Sequence, residues 1–178
     1  MPSQPIVLDE PIELVDYRAS WVESFGAERE RLVAALRAPI ETVQHVGSTA
    51  VPGMLSKPTI DLMLGLSEFP PSASLISSVS SLGYESLGEA GVPGRLYFRR
   101  RGSASFNIHV VRIGGLHWVS NLALRDYLLA NAAARERYAQ AKRAAFAYGG
   151  GTLLAYSAAK SAIVSSLCEE ALALQNGI

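Results

Sequence analysis

The segment from His45 to Leu66 combines a Gly-Ser turn with an aspartate thirteen positions later, inside an apolar stretch. Gly47 is small enough to let the backbone approach a phosphate group. The neighbouring amides and the hydroxyl of Ser48 can donate hydrogen bonds to the anionic oxygens of that group. The same bonds could simply close a turn. Together with Asp61, the turn predicts a site for a nucleoside triphosphate and a metal ion.

Asp61 lies in a stretch that has the two-residue period of a β-strand. The apolar face of this strand carries Ile60, Leu62, Leu64 and Leu66. Asp61 therefore projects from the opposite face. A carboxylate in so apolar a strand is costly to desolvate unless a cation or strong donors satisfy it, and a divalent metal beside a phosphate would do so. Lys57 is a candidate for the countercharge.

A later strand, Phe106 to Val111, places two polar side chains, Asn107 and His109, on one face. We expect Asp61, Asn107 and His109 to converge on one cleft, with all three as candidate metal ligands and Asp61 and His109 as candidate catalytic residues. An imidazole ligand in place of a second carboxylate would favour a softer metal such as manganese or zinc. Alternatively, His109 would be the general base that activates an acceptor.

Several segments of the chain resemble, in the expected order, those of the GrpB family, a branch of the polymerase-beta-like nucleotidyltransferase superfamily. The segments are Ile12–Trp21, His45–Leu66, Gly88–Arg100, Phe106–Val111 and Leu122–Phe146. The resemblance implies an α/β (α+β) fold, in which a mixed β-sheet forms a nucleotidyltransferase-like core with flanking helices and a C-terminal helical segment. It implies a single domain over residues 10–178, preceded by a flexible leader, residues 1–9.

The chain departs from the superfamily's pattern at one position of the site. The superfamily has two acidic residues separated by one position on the strand after the Gly-Ser turn, and a third on a later strand. Asp61 occupies the first acidic position, but the second holds Met63. A thioether is a poor ligand for a hard cation such as magnesium, so this departure argues against a two-metal site.

Candidates for binding the triphosphate come from several segments. They are Gly47, Ser48, Thr49, Lys57, Arg95, Arg125, Tyr138 and Lys142. Arg95 lies in the family-like sequence GVPGR, and an arginine can hold a phosphate through two parallel hydrogen bonds. Tyr138 and Lys142 are four positions apart and are therefore neighbours on one helix face. The alternative for Lys142 is an ordinary surface position, with its stem along the helix edge and its charge in water.

Composition narrows the class of partner. The chain has 178 residues, 49% of them hydrophobic, which suits one domain with a substantial core. Sixteen basic and sixteen acidic side chains leave no net charge, so we expect no binding of long nucleic acids. The single cysteine cannot form an internal disulfide, and no signal peptide or membrane-spanning run is visible, so we expect a cytoplasmic protein without a membrane partner.

Periodicity predicts the order of the secondary-structure elements. We expect strands at 12–15, 41–46, 59–66, 84–87, 95–100 and 105–112, with a short helical or irregular passage after the Gly-Ser turn. We expect helices at 19–36, 70–81, 118–148 with a break near Asn131, and 152–174, the last two separated by the run from Gly149 to Gly151.

Three functional interpretations follow. The first is a metal-dependent nucleotidyltransferase that passes a nucleoside monophosphate from a nucleoside triphosphate, with ATP as the expected substrate, to a small-molecule acceptor. An acceptor carboxylate would become an acyl-adenylate that an amine could convert into an amide. The second is a nucleotide- or CoA-related binding module that has lost catalysis, and the third is a metal-dependent hydrolase. We expect magnesium or manganese in preference to zinc, because the spacing of the three histidines matches no recognised zinc pattern.

Overall fold

A mixed β-sheet lies at the centre of the computed structural model, which describes residues 8–38, 42–149, 151–175 and 177. Its strands are β1 (Val43–Val46), β2 (Thr59–Leu66), β3 (Glu85–Ser86), β4 (Arg95–Arg100) and β5 (Ser105–Arg112). They lie in the order β1-β2-β5-β4-β3. Neighbouring strands are antiparallel except β2 and β5, which are parallel. The crossover between β2 and β5 therefore brings two strands that are distant in sequence side by side.

Some helices pack on the sheet, and the C-terminal helices pack against one another beside it. They are α1 (Ser20–Leu36), α2 (Ala73–Ser81), α3 (Leu116–Ala130), α4 (Ala132–Tyr148), α5 (Leu153–Ala159) and α6 (Ser161–Gln175), and one turn of 3-10 helix spans Ser48–Ala50. Within the described ranges, none of these helices is both long and apolar enough to cross a lipid bilayer.

The two faces of the sheet have different surroundings. One face packs against α1 and α2 and forms the main hydrophobic core, which includes Trp21, Phe25, Leu32, Ile60, Leu62, Leu64, Val79, Phe106, Ile108 and Val110. The other face carries Asp61, Asn107 and His109, together with a small apolar cluster in which Met63 packs near Trp118 of α3. The alternation in β2 and β5 thus separates a dry face from a polar one, as the sequence predicts.

The C-terminal helices form a second packed unit around the segment that follows the 3-10 turn. Its buried side chains are Val51, Met54, Leu128, Ala134, Tyr138 and Leu167. Helices α3, α4 and α6 are thereby fixed against the loop between β1 and β2. A mixed sheet with flanking helices and a C-terminal helical segment is confirmed.

Most predicted elements are confirmed within one to three residues at their ends. The break near Asn131 is also confirmed, because the Asn131 side chain accepts a hydrogen bond from the Ala134 amide at 2.9 Å and caps α4. Helix α3 begins at Leu116, two residues before the predicted start. Glu41 of the predicted 41–46 strand and Gly150 of the glycine run lie outside the described residues.

Two predicted elements are wrong. Residues 12–15 form no strand, because Pro11 bridges Thr152 whereas Val15 bridges Ser56, and two unrelated partners cannot make a ladder. The predicted 152–174 helix is broken at Lys160 into α5 and α6. There the Ser161 hydroxyl donates to the carbonyl of Ala158 at 2.8 Å, the kind of local bond that competes with a continuous helix.

Most of the expected leader, 1–9, lies outside the described residues. Its last residue is held in place, since Asp9 Oδ1 accepts a hydrogen bond from the Leu154 amide at 2.9 Å.

Candidate functional site

A cleft of about 390 Å³ lies between the polar face of the sheet and the C-terminal helices. One side, the strand wall, includes Lys57, Asp61, Arg95, Tyr97, Asn107 and His109. The opposite side, the helix wall, includes Leu124, Leu128, Tyr138, Leu153, Tyr156 and Val164. Gly47, Ser48 and Thr49 of the turn also line the cleft. The cleft therefore joins a charged strand surface to a mainly apolar helix surface, which also carries Arg125 and Lys160. Such a combination is typical of small-molecule sites.

Asp61, Asn107 and His109 meet on the strand wall, where the sequence predicts their convergence. The parallel pairing of β2 with β5 sets Asp61 beside Asn107. Asn107 Nδ2 donates to Asp61 Oδ1 at 2.7 Å, and His109 Nε2 lies 3.2 Å from the same oxygen. Both contacts thus fall on one carboxylate oxygen. The catalytic and metal-binding roles expected for these residues stay predictions.

The carboxyl group of Asp61 is held in its ionised form. Burial opposes ionisation, but the hydrogen bond and field of His109, the charge of Lys57 and the hydrogen bond from Asn107 outweigh it, so the pKa of Asp61 lies well below its usual range. The cleft therefore contains a fixed negative charge at its strand wall.

Arg95 extends this network from β4. Its Nη1 lies 3.2 Å from His109 Nδ1, and its other nitrogens donate to the carbonyls of Glu89 and Ala90 at 3.4 to 3.5 Å. The guanidinium also lies over the Tyr97 ring, 5.0 Å from its centroid. A hydrogen-bonded chain thus runs from the loop before β4 through an imidazole to the Asp61 carboxylate.

The Gly-Ser turn approaches Asp61 too closely for a side chain. Gly47 has φ +72°, and a Cβ atom at this position would lie 2.7 Å from Asp61 Oδ2. Next to it, Ser48 and Thr49 both line the cleft, and the hydroxyl of Thr49, a buried residue, lies 3.0 Å from His45 Nε2. Ser48 is thus placed to meet a ligand, and Thr49 joins the turn to β1.

Lys142 lies beneath the turn rather than at the surface. Its side chain is 1% exposed, and its Nζ donates to the Ser48 hydroxyl and, at 2.7 Å, to the Leu55 carbonyl. The same nitrogen lies 4.2 Å from the centroid of the Tyr138 ring. Burial, reinforced by the charges of Lys160 and Lys57, lowers the pKa of Lys142 well below its ordinary value. The structure therefore does not support the alternative of a solvated helix-edge lysine.

Further cations surround the cleft. Lys57, Arg125 and Lys160 line it together with Arg95. Burial lowers the pKa of Lys57, although the charge of Asp61 opposes this effect. Arg125 Nη1 donates to Gln44 Oε1 and to the His45 carbonyl, both at 3.2 Å. In the described part of the chain Asp61 is the one acidic side chain in the lining, so the cleft favours an anionic ligand.

Sequence reasoning gave no role to Tyr97, Tyr156 or Lys160, all of which line the cleft. Tyr97 could have been found, because it follows Arg95 by two positions on a strand and therefore shares its face. Tyr156 and Lys160 form a neighbouring pair at helical spacing, and the Lys160 ammonium lies 5.4 Å from the centroid of the Tyr156 ring. Their approach to the cleft depends on how α5 packs, which a single sequence does not specify.

The residues of the strand wall fit one hard cation better than two. Among the described residues, nothing donates to Asp61 Oδ2, and the buried Asn107 Oδ1 has no partner. Carboxylate and amide oxygens are the ligands that magnesium and manganese prefer. Met63, two positions after Asp61, is fully buried in an apolar cluster. No group of three His, Cys, Asp or Glu side chains in the described ranges could hold a metal.

Comparison with known sequences places these features in a family context. The family described as "GrpB protein" matches residues 11–170. A UPF0157 protein of Streptomyces coelicolor is 32% identical over 156 residues, which cover 88% of this chain and 82% of that protein. UPF0157 protein YqkA of Bacillus subtilis is 31% identical over 133 residues, which cover 74% of this chain but 39% of YqkA. The chain thus spans less than half the length of YqkA.

Solved structures share the fold. The crystal structure of conserved protein GrpB from Enterococcus faecalis matches with a TM-score of 0.78 and 29% identity, over 90% of this chain and 97% of that one. Terminal uridylyl transferase 4 from Trypanosoma brucei, with bound CTP, matches with a TM-score of 0.51 and 17% identity, over 87% of this chain and 51% of that one. The second likeness concerns the fold alone, which is nucleotidyltransferase-like.

Proposed function

The chain belongs to the GrpB family, and from this premise we propose that its cleft binds a nucleoside triphosphate and transfers the nucleoside monophosphate to a small-molecule acceptor. The observation that carries the proposal is the placement of one ionised carboxylate, Asp61, among four cations beside the Gly-Ser turn. A triphosphate would balance the cations, and the apolar helix wall would accommodate a nucleoside or an acceptor. The nucleotidyltransferase-like fold supports the same chemistry by analogy.

Different residues would make different interactions with the triphosphate. The hydroxyl of Ser48 and the amides of the turn would donate to phosphate oxygens, and Lys142 would orient that hydroxyl from beneath. Lys57, Arg95 and Arg125 would supply positive charge along the chain of phosphates. Catalysis of phosphoryl transfer depends chiefly on such positioning and charge stabilisation.

Asp61 Oδ2 would hold a single magnesium or manganese ion shared with the triphosphate. Such an ion would neutralise charge on the phosphates. Asn107 donates to Oδ1 and His109 Nε2 contacts the same oxygen, and these two side chains would keep the carboxylate turned so that Oδ2 stays open. In the transfer itself, a bond forms between an acceptor oxygen and the α-phosphorus, the bond from that phosphorus to the bridging oxygen breaks, and pyrophosphate leaves.

The chemical class of the acceptor determines the product of this transfer. If its oxygen belongs to a carboxylate, the product is an acyl-adenylate, and an amine can then displace the nucleotide to give an amide. The cationic strand wall beside the apolar helix wall suits an organic carboxylate of this kind.

A binding module without catalysis is the second candidate function, and Met63 is the observation that favours it. This residue is packed into an apolar cluster at the position where the superfamily has its second acid, so the site has one carboxylate for metal. Such a module would bind nucleotide or a CoA-related compound through the same cations without breaking the triphosphate.

Incubation with each of the four ribonucleoside triphosphates, in magnesium or manganese, tests the proposal. We expect calorimetric binding that requires metal, and release of pyrophosphate when a pool of small molecules is added, both lost in Asp61→Asn. Metal-independent binding with no release, even with the pool present, would replace the proposal by the binding module. Release of orthophosphate without any acceptor would indicate a metal-dependent hydrolase instead.

A further inference from the structure

His109 contacts a different kind of group at each ring nitrogen. Its Nδ1 lies 3.2 Å from the guanidinium Nη1 of Arg95, and its Nε2 lies 3.2 Å from the carboxylate Oδ1 of Asp61. A guanidinium has only donors, whereas an ionised carboxylate has only acceptors. The ring therefore lies between two partners with opposite and fixed hydrogen-bonding character.

These partners determine where the imidazole proton is. Nδ1 must accept from Arg95, because a proton on Nδ1 would point at a guanidinium N–H. The neutral ring then carries its proton on Nε2 and donates it to Asp61, since the bond made by one ring nitrogen sets the state of the other. Both nitrogens are thus engaged. The one in-plane lone pair, on Nδ1, accepts from Arg95 and is not open to a metal ion or to the proton of an acceptor.

Arg95 is itself held in place. The carbonyls of Glu89 and Ala90 accept hydrogen bonds from its guanidinium, and the Glu89 carboxylate accepts one from the Gly94 amide at 2.9 Å. The ring of Tyr97 lies under the guanidinium and 5.3 Å from the His109 ring, centroid to centroid. The guanidinium therefore reaches His109 from a folded loop and an aromatic platform rather than as a free surface side chain.

We infer that Arg95 is a positioning residue that fixes His109 as the Nε2–H tautomer and, through it, fixes the carboxylate of Asp61. His109 is then a hydrogen-bond donor to Asp61, rather than the metal ligand or general base that its residue type suggests. The assignment of the tautomer stands on the hydrogen bonds alone; its importance for catalysis rests on the proposed function, in which Asp61 is the essential carboxylate.

Nitrogen-15 spectroscopy of the ligand-free protein tests the tautomer directly. The chain has three histidines, so the long-range proton–nitrogen correlations can be assigned by substitution. His117 is an internal reference, because its Nε2 lies 2.8 Å from the Pro93 carbonyl, which can only accept. At a pH well above the ordinary imidazole pKa of roughly 6.5, we expect His109 to show the Nε2–H pattern of His117. An Nδ1–H pattern in the wild type would overturn the inference without any variant.

Arg95→Met tests the positioning role, with Arg125→Met as the matched control. Both variants remove one guanidinium from the cleft, but Arg125 bonds Gln44 and the His45 carbonyl instead of His109. We expect Arg95→Met to admit a measurable Nδ1–H share beside the Nε2–H form that Asp61 still favours, and Arg125→Met to leave the Nε2–H pattern unchanged. A full Nε2–H pattern in folded Arg95→Met, or an equal loss in both variants, would contradict the role.

These outcomes are independent of the proposed activity. Loss of the expected tautomer, in a protein that still releases pyrophosphate in an Asp61-dependent way, would remove the inference and leave the proposed function. The expected tautomer in a protein that neither binds nor cleaves nucleotide would support the inference and remove the proposed function.

Discussion

At the residue scale, Gly47 lies so near the carboxylate of Asp61 that no side chain fits between them. Gly47→Ala would place a Cβ atom 2.7 Å from Asp61 Oδ2, at a residue with φ +72°. We expect a loss of stability of roughly 1–3 kcal/mol from the backbone strain and a displaced carboxylate that no longer supports nucleotide binding. Urea unfolding and calorimetric titration measure the two effects separately.

Gly53→Ala is the matched control for this prediction. Gly53 also has a positive φ, +78°, but a Cβ atom there would meet no atom within 4 Å. We expect a similar cost in stability with unchanged nucleotide binding. If the two variants bound nucleotide equally well, the contact between Gly47 and Asp61 would have no part in the site.

The donor role of His109 gives a second prediction at the residue scale. His109→Gln keeps an N–H group that can reach Asp61, whereas His109→Leu removes it. Loss of a hydrogen bond to a metal-binding carboxylate costs roughly 10- to 100-fold in activity, so we expect that loss in the leucine variant and a smaller one in the glutamine variant. Equal inactivation of both would instead favour an imidazole that binds metal or accepts a proton. Steady-state pyrophosphate release measures the difference.

Individual residues of the site were predictable to different degrees. The two-residue period of the strands places Asp61, Asn107 and His109 on the same face, and the structure has them there. The partners of Lys142 could not be predicted, because its contact with Ser48 joins positions 94 residues apart through the packing of α4. Hydrogen-bond direction at His109 likewise depends on Arg95, which reaches it from a separate strand.

At the scale of elements, the junction between α3 and α4 gives a prediction about stability. The side chain of Asn131 accepts a hydrogen bond from the Ala134 amide and caps α4, which carries Tyr138 and Lys142 into the site. We expect Asn131→Ala to lower the free energy of unfolding by about 1 kcal/mol, because one amide at the helix start loses its acceptor. Asn131→Asp keeps an acceptor oxygen and should retain wild-type stability. A loss of the same size in both variants would show that the cap contributes nothing.

Elements with a strong local pattern were predictable, and those defined by distant partners were not. Helix α1 and strands β2, β4 and β5 agree with the predicted ranges to within a residue, because their periodicity is continuous. The stretch 12–15 has the composition of a strand, yet Val15 bridges Ser56 whereas Pro11, just before the stretch, bridges Thr152 in a different part of the chain. The division between α5 and α6 is not signalled by any glycine or proline at Lys160.

At the scale of the whole molecule, the balance of charge in the sequence conceals an uneven distribution. The chain has sixteen basic and sixteen acidic side chains. Among the residues that the structure describes, however, the cleft is lined by four cations and by one carboxylate, that of Asp61. Elsewhere, Arg99, Arg100 and Arg101 form ion pairs with Glu85, Glu28 and Glu10. Composition alone could therefore not reveal a cationic pocket, because a balanced total allows a local excess of one sign.

Acid unfolding of the whole molecule should depend on His45. Burial, with a smaller effect from Arg125, lowers the pKa of His45 from 6.5 to about 4, so the unfolded chain binds a proton that the folded chain resists. Stability from this group is complete above pH 6.5 and is lost as the pH falls toward 4, by at most about 3 kcal/mol.

His45→Gln tests this pH dependence. The variant removes the titrating ring but can keep a bond to Thr49, so the fall in unfolding free energy between pH 6.5 and 4 should become shallower. His117→Gln, which removes a histidine at the start of α3, is the matched control. A slope that is the same in His45→Gln as in the wild type would refute the prediction.

Transfer of label from a nucleoside triphosphate to an acceptor would show directly whether this cleft performs nucleotidyl transfer around Asp61. The protein would be incubated with ATP labelled at the α-phosphate, with magnesium or manganese, and with a pool of small-molecule carboxylates and alcohols. Asp16→Asn, in which the same substitution lies outside the cleft, would be run beside Asp61→Asn. We expect labelled acceptor in the wild type and in Asp16→Asn, with none in Asp61→Asn. Labelled acceptor at the wild-type rate in Asp61→Asn would contradict this expectation.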